Sequence, residues 1–217
     1  MDLINDPSNL LTVFLLYFTS FFTIINPIGS IPVFMTLTYN LTEEEKSRTS
    51  KKANLTAFLT LILFAFTGHF LFKFFGISVD SLRIVGGVIF FIMGYDMLQA
   101  KIGRVKLKDD EITNYVNNIA ITPLAIPLIC GPGAITNAIV LMEDTKNIES
   151  KLILIIAILL VLILNFILQK NSTLITKIIG DTGINVLMRL MGLIMMVIAV
   201  DFFFAGLTPI LKGIFNL

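Results

Sequence analysis

Two short runs of the 217-residue sequence hold the residues best able to bind a ligand without a conventional charged site: Asn26-Pro27-Ile28-Gly29-Ser30-Ile31-Pro32 and Cys130-Gly131-Pro132-Gly133-Ala134-Ile135-Thr136-Asn137. Proline withdraws a backbone N–H and clashes with the carbonyl four residues back, and glycine adopts angles that a helix forbids. Both runs sit inside long apolar stretches, so they predict membrane helices that break rather than merely kink. A break exposes amides at the start of the following half-helix, around Ser30 to Val33 and Gly133 to Asn137. It exposes carbonyls at the end of the preceding one, around Thr23 to Asn26 and Leu128 to Gly131. The amide ends attract anions and the carbonyl ends attract cations.

A zwitterionic amino acid carries a carboxylate and an ammonium a few ångströms apart, which opposed half-helix ends can meet. Gly29, Ser30, Gly131, Gly133 and Ala134 leave little side chain between backbone and ligand, while Asn26, Ser30, Thr136 and Asn137 add neutral hydrogen bonds. The expected substrate contacts are therefore Asn26, Pro27, Ile28, Gly29, Ser30, Cys130, Gly131, Pro132, Gly133, Ala134, Thr136 and Asn137. The plainer alternative is that the same prolines and glycines only bend packed helices.

A second group of residues is polar or charged within apolar surroundings. Asp96 and Asp201 cost at least ~2.5 kcal/mol each if central in a bilayer. With Thr23 they are the candidates for coupling to H⁺ or Na⁺; a solvated interfacial carboxylate or a tether to a neighbouring helix is the other use. Arg83 and Arg189 begin their spans and call for a neighbouring carboxylate, Asp80 or Asp181, or for headgroups. Asn165 is placed to hydrogen-bond across helices, and His69 is read first as an interfacial histidine and second as a proton-coupling group. Cys130 is expected to serve as a small lining residue rather than a reactive thiol.

These residues need apolar elements to hold them. The chain is 56% hydrophobic and 14% charged, against about 25% charge in soluble domains, and its mean hydropathy is +0.90. This is the composition of an all-α membrane protein. Most charges fall in windows at 40–52, 101–111, 143–151 and 170–189. Apolar stretches near 10–39, 53–75, 82–100, 119–142, 151–170 and 186–211 are each long enough to cross a bilayer, giving six transmembrane helices with the first and fourth discontinuous.

The first stretch is read as a retained span, because Asp2 and Asp6 stand where a signal peptide would be basic. Placing both termini outside puts 11 of the 16 Lys and Arg residues in cytoplasmic loops, so the expected setting is a multi-pass protein of the cell membrane with N and C termini outside. A net charge of +1 without a basic tail argues against a nucleic-acid partner, and one cysteine with one histidine argues against a metal site. No nucleophile, base and orienter occur together, so no enzyme and no cofactor are expected beyond a coupling Na⁺ or H⁺.

The halves repeat. Arg83-Ile84-Val85-Gly86 resembles Arg189-Leu190-Met191-Gly192 at an offset of 106, and Asp96 and Pro27 match Asp201 and Pro132 at 105. Three helices per copy turn the second copy over, so residues 1–108 and 109–217 are expected to form two inverted three-helix repeats in one transmembrane domain.

Asn26-Pro27-Ile28-Gly29 with Pro32 and Phe34 is one of four blocks that carry a resemblance. The others are Arg83-Ile84-Val85-Gly86-Gly87 leading to Asp96, Pro123-Leu124-Ala125-Ile126-Pro127-Leu128-Ile129 with Gly131-Pro132-Gly133-Ala134-Ile135, and Arg189-Leu190-Met191-Gly192-Leu193-Ile194. Together they resemble the MarC (UPF0056) family from about residue 10 to 207. That family includes the SnatA-type small neutral amino acid transporters, and the resemblance implies six inner-membrane spans and transport of glycine, alanine and similar substrates. The leading expectation is secondary active transport by alternating access at the helix breaks, coupled to H⁺ or Na⁺. The alternatives are export of another small solute or drug, or a passive channel.

Overall fold

A computed structural model describes residues 10–99 and 112–215, with the side chains of 112–113, 175–179 and 181 outside that description. Among the described residues the chain is helical. In order it forms α1 (Leu10–Ile25), α2 (Pro27–Leu37), α3 (Glu43–Phe75), α4 (Val79–Leu98), α5 (Ile112–Ile119), an irregular segment at Ala120–Ile129, α6 (Pro132–Asp144), α7 (Ile148–Lys170) and α8 (Ser172–Phe215).

Five stretches are long and apolar enough to cross a membrane: Leu10–Leu37, Glu43–Phe75, Val79–Leu98, Ile148–Lys170 and Thr182–Phe215. The pair Asn114–Ile129 and Pro132–Asp144, bent by 59°, makes a sixth when counted as one span. Large apolar side chains cover the outside, Phe70 and Phe74 being 69% and 73% exposed. Such an exterior suits lipid and would aggregate in water.

Local sequence explains the boundaries. α3 starts at Glu43, well before the expected 53, because Thr42 and Glu45 form a reciprocal capping box: the Thr42 N–H donates to Glu45 Oε2 (2.7 Å) and the Glu45 N–H to Thr42 Oγ1 (3.3 Å). It ends at Gly76, whose φ of 66° glycine adopts without a Cβ penalty. In α8 a second left-handed glycine, Gly180 (φ 67°), interrupts the helix just before its spanning part.

α4 and α8 form the most intimate pair. A Cβ added to Gly87 would stand 2.7 Å from the Ala199 carbonyl oxygen, one on Gly94 2.7 Å from that of Gly192, and one on Gly192 2.6 Å from that of Gly94. Gly206 likewise meets the Asp80 backbone. Rising numbers on one helix meet falling numbers on the other, so the two run antiparallel. Only small residues allow backbones to approach this closely. The larger core gathers around α1, α3, α6 and α7, with Tyr17, Phe21, Leu61, Leu154 and Ile158 fully buried.

Candidate ligand site at the helix breaks

The first break is one residue wide. Asn26 takes left-handed angles (φ 47°, ψ 66°), a conformation its short amide side chain tolerates better than most. That side chain folds back, and its Oδ1 accepts from the Gly29 N–H at 3.1 Å. Pro27 has no N–H to offer the Thr23 carbonyl. Helical bonding resumes across the break through Asn26 N–H to Phe22 O (3.0 Å) and Ser30 N–H to Asn26 O (3.1 Å). Gly29 must lack a Cβ, because one would run into the Asn26 carboxamide.

The second break is much longer than the Cys130 to Ile135 run suggests. Thr122 and Ile126 have extended backbone, each preceding a cis proline, Pro123 and Pro127. The Cys130 N–H reaches back to the Ala125 carbonyl (2.8 Å), Gly131 is extended, and α6 begins at Pro132. No side chain caps α6. The start of α2 is thus filled by its own Asn26, whereas the first-turn amides of α6 have no side-chain partner.

Residues of both breaks share one cavity of about 30 Å³. Asn26, Gly29 and Ser30 line it with Leu128, and Ile24, Phe90, Met97 and Met195 close it in. That volume is on the scale of a single water molecule. Cys130, Gly131, Pro132, Gly133 and Ala134 are buried behind it. Phe90 packs where a Gly131 side chain would be, and a Cβ on Gly133 would lie 2.8 Å from Phe202 Cζ and 3.3 Å from Ile24 Cγ2. Phe90 and Phe202 are in contact, ring centroids 6.4 Å apart, and with Ile24 they separate the cavity from the first turns of α6.

Above Gly133 on α6 stand Thr136 and Asn137. Thr136 is 3% exposed, yet its Oγ1 has no hydrogen-bond partner, and neither has Asn137 Nδ2. Eight other threonines, six inside helices and two at helix C-caps, donate to the carbonyl four residues back. Thr136 does not. Asn137 Oδ1 accepts from Ser20 Oγ at 3.1 Å, which holds the amide while leaving its N–H₂ free. A buried polar atom left unpaired costs about 1–3 kcal/mol, so these two adjacent groups are candidates to contact a bound water or ligand.

Ser30 also belongs to a closed ring of buried polar groups. Its Oγ lies 2.8 Å from Asn165 Oδ1; Asn165 Nδ2 donates to Asn54 Oδ1 (2.8 Å), Asn54 Nδ2 to Gln169 Oε1 (3.1 Å), and Gln169 Nε2 back to Ser30 Oγ (3.3 Å). Ser50 Oγ adds a bond to Gln169 Oε1 at 2.7 Å. Asn165 thus bonds across helices as its isolation in an apolar span suggests. Ser50, Asn54 and Gln169 lie outside the proline-glycine motifs. The signal was there: Ser50 and Asn54, and Asn165 and Gln169, are polar pairs four residues apart, each on one face of an apolar helix. Replacing Asn165 by leucine is expected to orphan Asn54 Oδ1 and lower stability by ~2 kcal/mol; thermal unfolding in detergent unchanged from the parent would contradict this.

Other candidates lie apart from the cavity. Thr23 and Ile28 face outward, Asp96 is half-buried near the end of α4, and Asp201 is exposed on the side of α8 turned away from α4. Arg83 pairs with Asp80 at 3.1 Å, and His69 Nδ1 lies 3.1 Å from Glu143, joining α3 to α6. The side chain of Asp181, proposed for Arg189, and the basic loop 101–108 lie outside the described residues.

The sequence model of the MarC family integral membrane proteins matches residues 11–211. A UPF0056 membrane protein of Methanocaldococcus jannaschii is 36% identical over 208 residues, covering 95% of this chain and 91% of that one. Another from Pyrococcus horikoshii is 39% identical over 204 residues, 94% and 96% of the two chains, and YvbG of Bacillus subtilis is 38% identical over 201 residues, 91% and 93%. No solved structure matches significantly. With its apolar spans, its two proline-glycine blocks and this near full-length similarity, the chain belongs to the MarC family of integral membrane proteins.

Proposed function

We propose that this protein is a SnatA-type secondary transporter that carries small neutral amino acids such as glycine and alanine across the cell membrane, by alternating access about the two helix breaks and driven by H⁺ or Na⁺. The carrying observation is the start of α6: uncapped amides, with the unpartnered Thr136 Oγ1 and Asn137 Nδ2 one turn above. Amides and a side-chain N–H₂ suit a carboxylate, and the glycines restrict what accompanies it to a small side chain. The present cavity is water-sized, and Phe90 and Ile24 in its wall, with Phe202 packed against Phe90, stand between it and the start of α6. On this reading a substrate reaches both breaks only when these side chains move apart, which alternating access supplies.

Two features support reading residues 1–108 and 109–217 as inverted repeats with discontinuous first and fourth spans. The interruptions at Asn26 and at 120–131 fall in corresponding spans. The α4·α8 contact is also self-complementary in the register that pairs Asp96 with Asp201, an offset of 105 and one residue from the 106 of the Arg83 and Arg189 blocks: Gly87 then corresponds to Gly192 and Gly94 to Ala199, and Gly87 meets Ala199 while Gly94 meets Gly192. Such reciprocity is what a two-fold relation between copies produces. The repeats bear on mechanism because folds of this kind bind near the midplane and rock one part against the other.

Uptake of labelled glycine and alanine into proteoliposomes, with H⁺ and Na⁺ gradients imposed separately, tests the proposal. Saturable accumulation against a gradient, competed by small neutral amino acids, is expected. No accumulation and no counterflow from preloaded vesicles would overturn it. Gly133→Val is expected to abolish uptake while the protein still reaches the membrane, since its branched side chain must displace Phe202 and Ile24 and fill the space beside the α6 amides. Normal uptake by that variant would move the site elsewhere.

A further inference from the structure

We propose that the groove between α3 and α7 is a binding site for an anionic phospholipid, its acyl chain lying in the groove and its headgroup held by Arg48, Lys51 and Lys170. The groove has a volume of about 360 Å³ and is walled by Leu55, Phe58, Leu162 and Phe166, with Asn54 at its side and Lys51 at its mouth. It opens on the exterior of the bundle, where lipid lies.

The charges are placed by helix geometry. Arg48, Lys51, Leu55 and Phe58 follow one another at spacings of three and four, so they form one stripe of α3. Leu162, Phe166 and Lys170 do the same on α7. The hydrogen bonds from Ser50 and Asn54 to Gln169 fix the register, setting Lys170 level with Ser50 and so within a turn of Arg48 and Lys51. Three exposed cations from two helices therefore converge at one end of an apolar slot, and none makes an ion pair with a described residue. Glu44, the carboxylate on the same stripe, lies a full turn beyond Arg48 and away from the mouth. The apolar run of α3 begins just past Lys52, which puts these cations at headgroup level. Basic residues at that level beside an apolar groove match the two ends of a phospholipid. A zwitterionic headgroup brings no net charge to them. The bound chain would lie against Asn54 and so shield from the hydrocarbon side the polar ring that holds Ser30.

The chain has no tryptophan, which makes the test direct. Phe166→Trp places a reporter in the groove, and Leu63→Trp places one on the lipid-facing side further along α3, where Leu63 is 57% exposed. Purified protein in vesicles is titrated with phosphatidylglycerol or phosphatidylcholine brominated on the same acyl chains. At position 166 phosphatidylglycerol is expected to quench with roughly fivefold tighter apparent binding per cation engaged, and at position 63 the two lipids are expected to quench alike. Changing Arg48, Lys51 and Lys170 together to glutamine should remove the preference at 166. Soluble glycerol phosphate should fail to displace the lipid. Equal quenching by both lipids at 166, an equal preference at 63, a preference surviving the triple variant, or displacement by glycerol phosphate alone would each overturn the proposal.

Discussion

Gly192→Leu is expected to destabilise the protein by about 3 kcal/mol, the upper end of the usual range for overpacked interiors, and to reduce the yield of monodisperse material. The reason lies in what the new side chain meets. A Cβ at position 192 would stand 2.6 Å from the Gly94 carbonyl oxygen and 2.8 Å from the Leu98 nitrogen, both backbone atoms of α4. A clash with a flexible side chain relaxes by rotation, but this one relaxes only if α4 and α8 move apart. Separation at one point loosens the whole contact, because Gly87 against Ala199 and Gly206 against Asp80 depend on the same close approach. Gly213→Leu is the control: nothing lies within 4 Å of its added Cβ, and its effect is expected to stay within about 0.5 kcal/mol. Thermal unfolding of the two variants in detergent separates them. Equal midpoints would show that the interhelical contact is not a principal source of stability.

What could be read from the sequence follows from the range of each interaction. Apolar runs, proline positions and the charged windows are local, so the apolar spans were legible, as was the irregular backbone at Asn26 where α1 gives way to α2. Arg83 with Asp80 is an i,i+3 pair and was legible for the same reason. In the fourth stretch Pro132 marked the start of α6, but the extended backbone at Thr122 and Ile126 was not legible, because a proline-rich stretch does not announce which peptide bonds turn cis. The ring of Ser30, Asn54, Asn165 and Gln169 joins residues more than a hundred positions apart. Each member looks like an isolated polar residue until the helices are docked. Ile28 shows the converse limit: it belongs to a ligand-rich motif, yet helical phase turns it outward, 58% exposed, while its neighbours Asn26, Gly29 and Ser30 turn in. Composition placed Thr136 and Asn137 among polar candidates, but only the docked structure shows that Thr136 Oγ1 and Asn137 Nδ2 lack partners.

That last feature separates binding from architecture. Thr136→Val is expected to leave stability unchanged or raise it by up to about 1 kcal/mol, because valine matches threonine in shape and removes a buried hydroxyl that has no partner. The same change is expected to lower amino acid uptake at least roughly tenfold, the loss of one hydrogen bond to a charged carboxylate being worth about 1.5–3 kcal/mol. An ordinary structural threonine gives the opposite result: Thr145→Val removes a hydroxyl that bonds both Tyr17 (2.7 Å) and the Leu141 carbonyl (2.6 Å), so it should lower stability. Asn137→Leu is a weaker test, since it also deprives Ser20 of its acceptor. The pair of measurements, unfolding midpoint and uptake, therefore reads differently for each role. If Thr136→Val loses stability and keeps uptake, the hydroxyl has a structural partner and the carboxylate lies elsewhere; if it keeps stability and loses uptake, a polar group with no use in the folded chain has a use in the bound one.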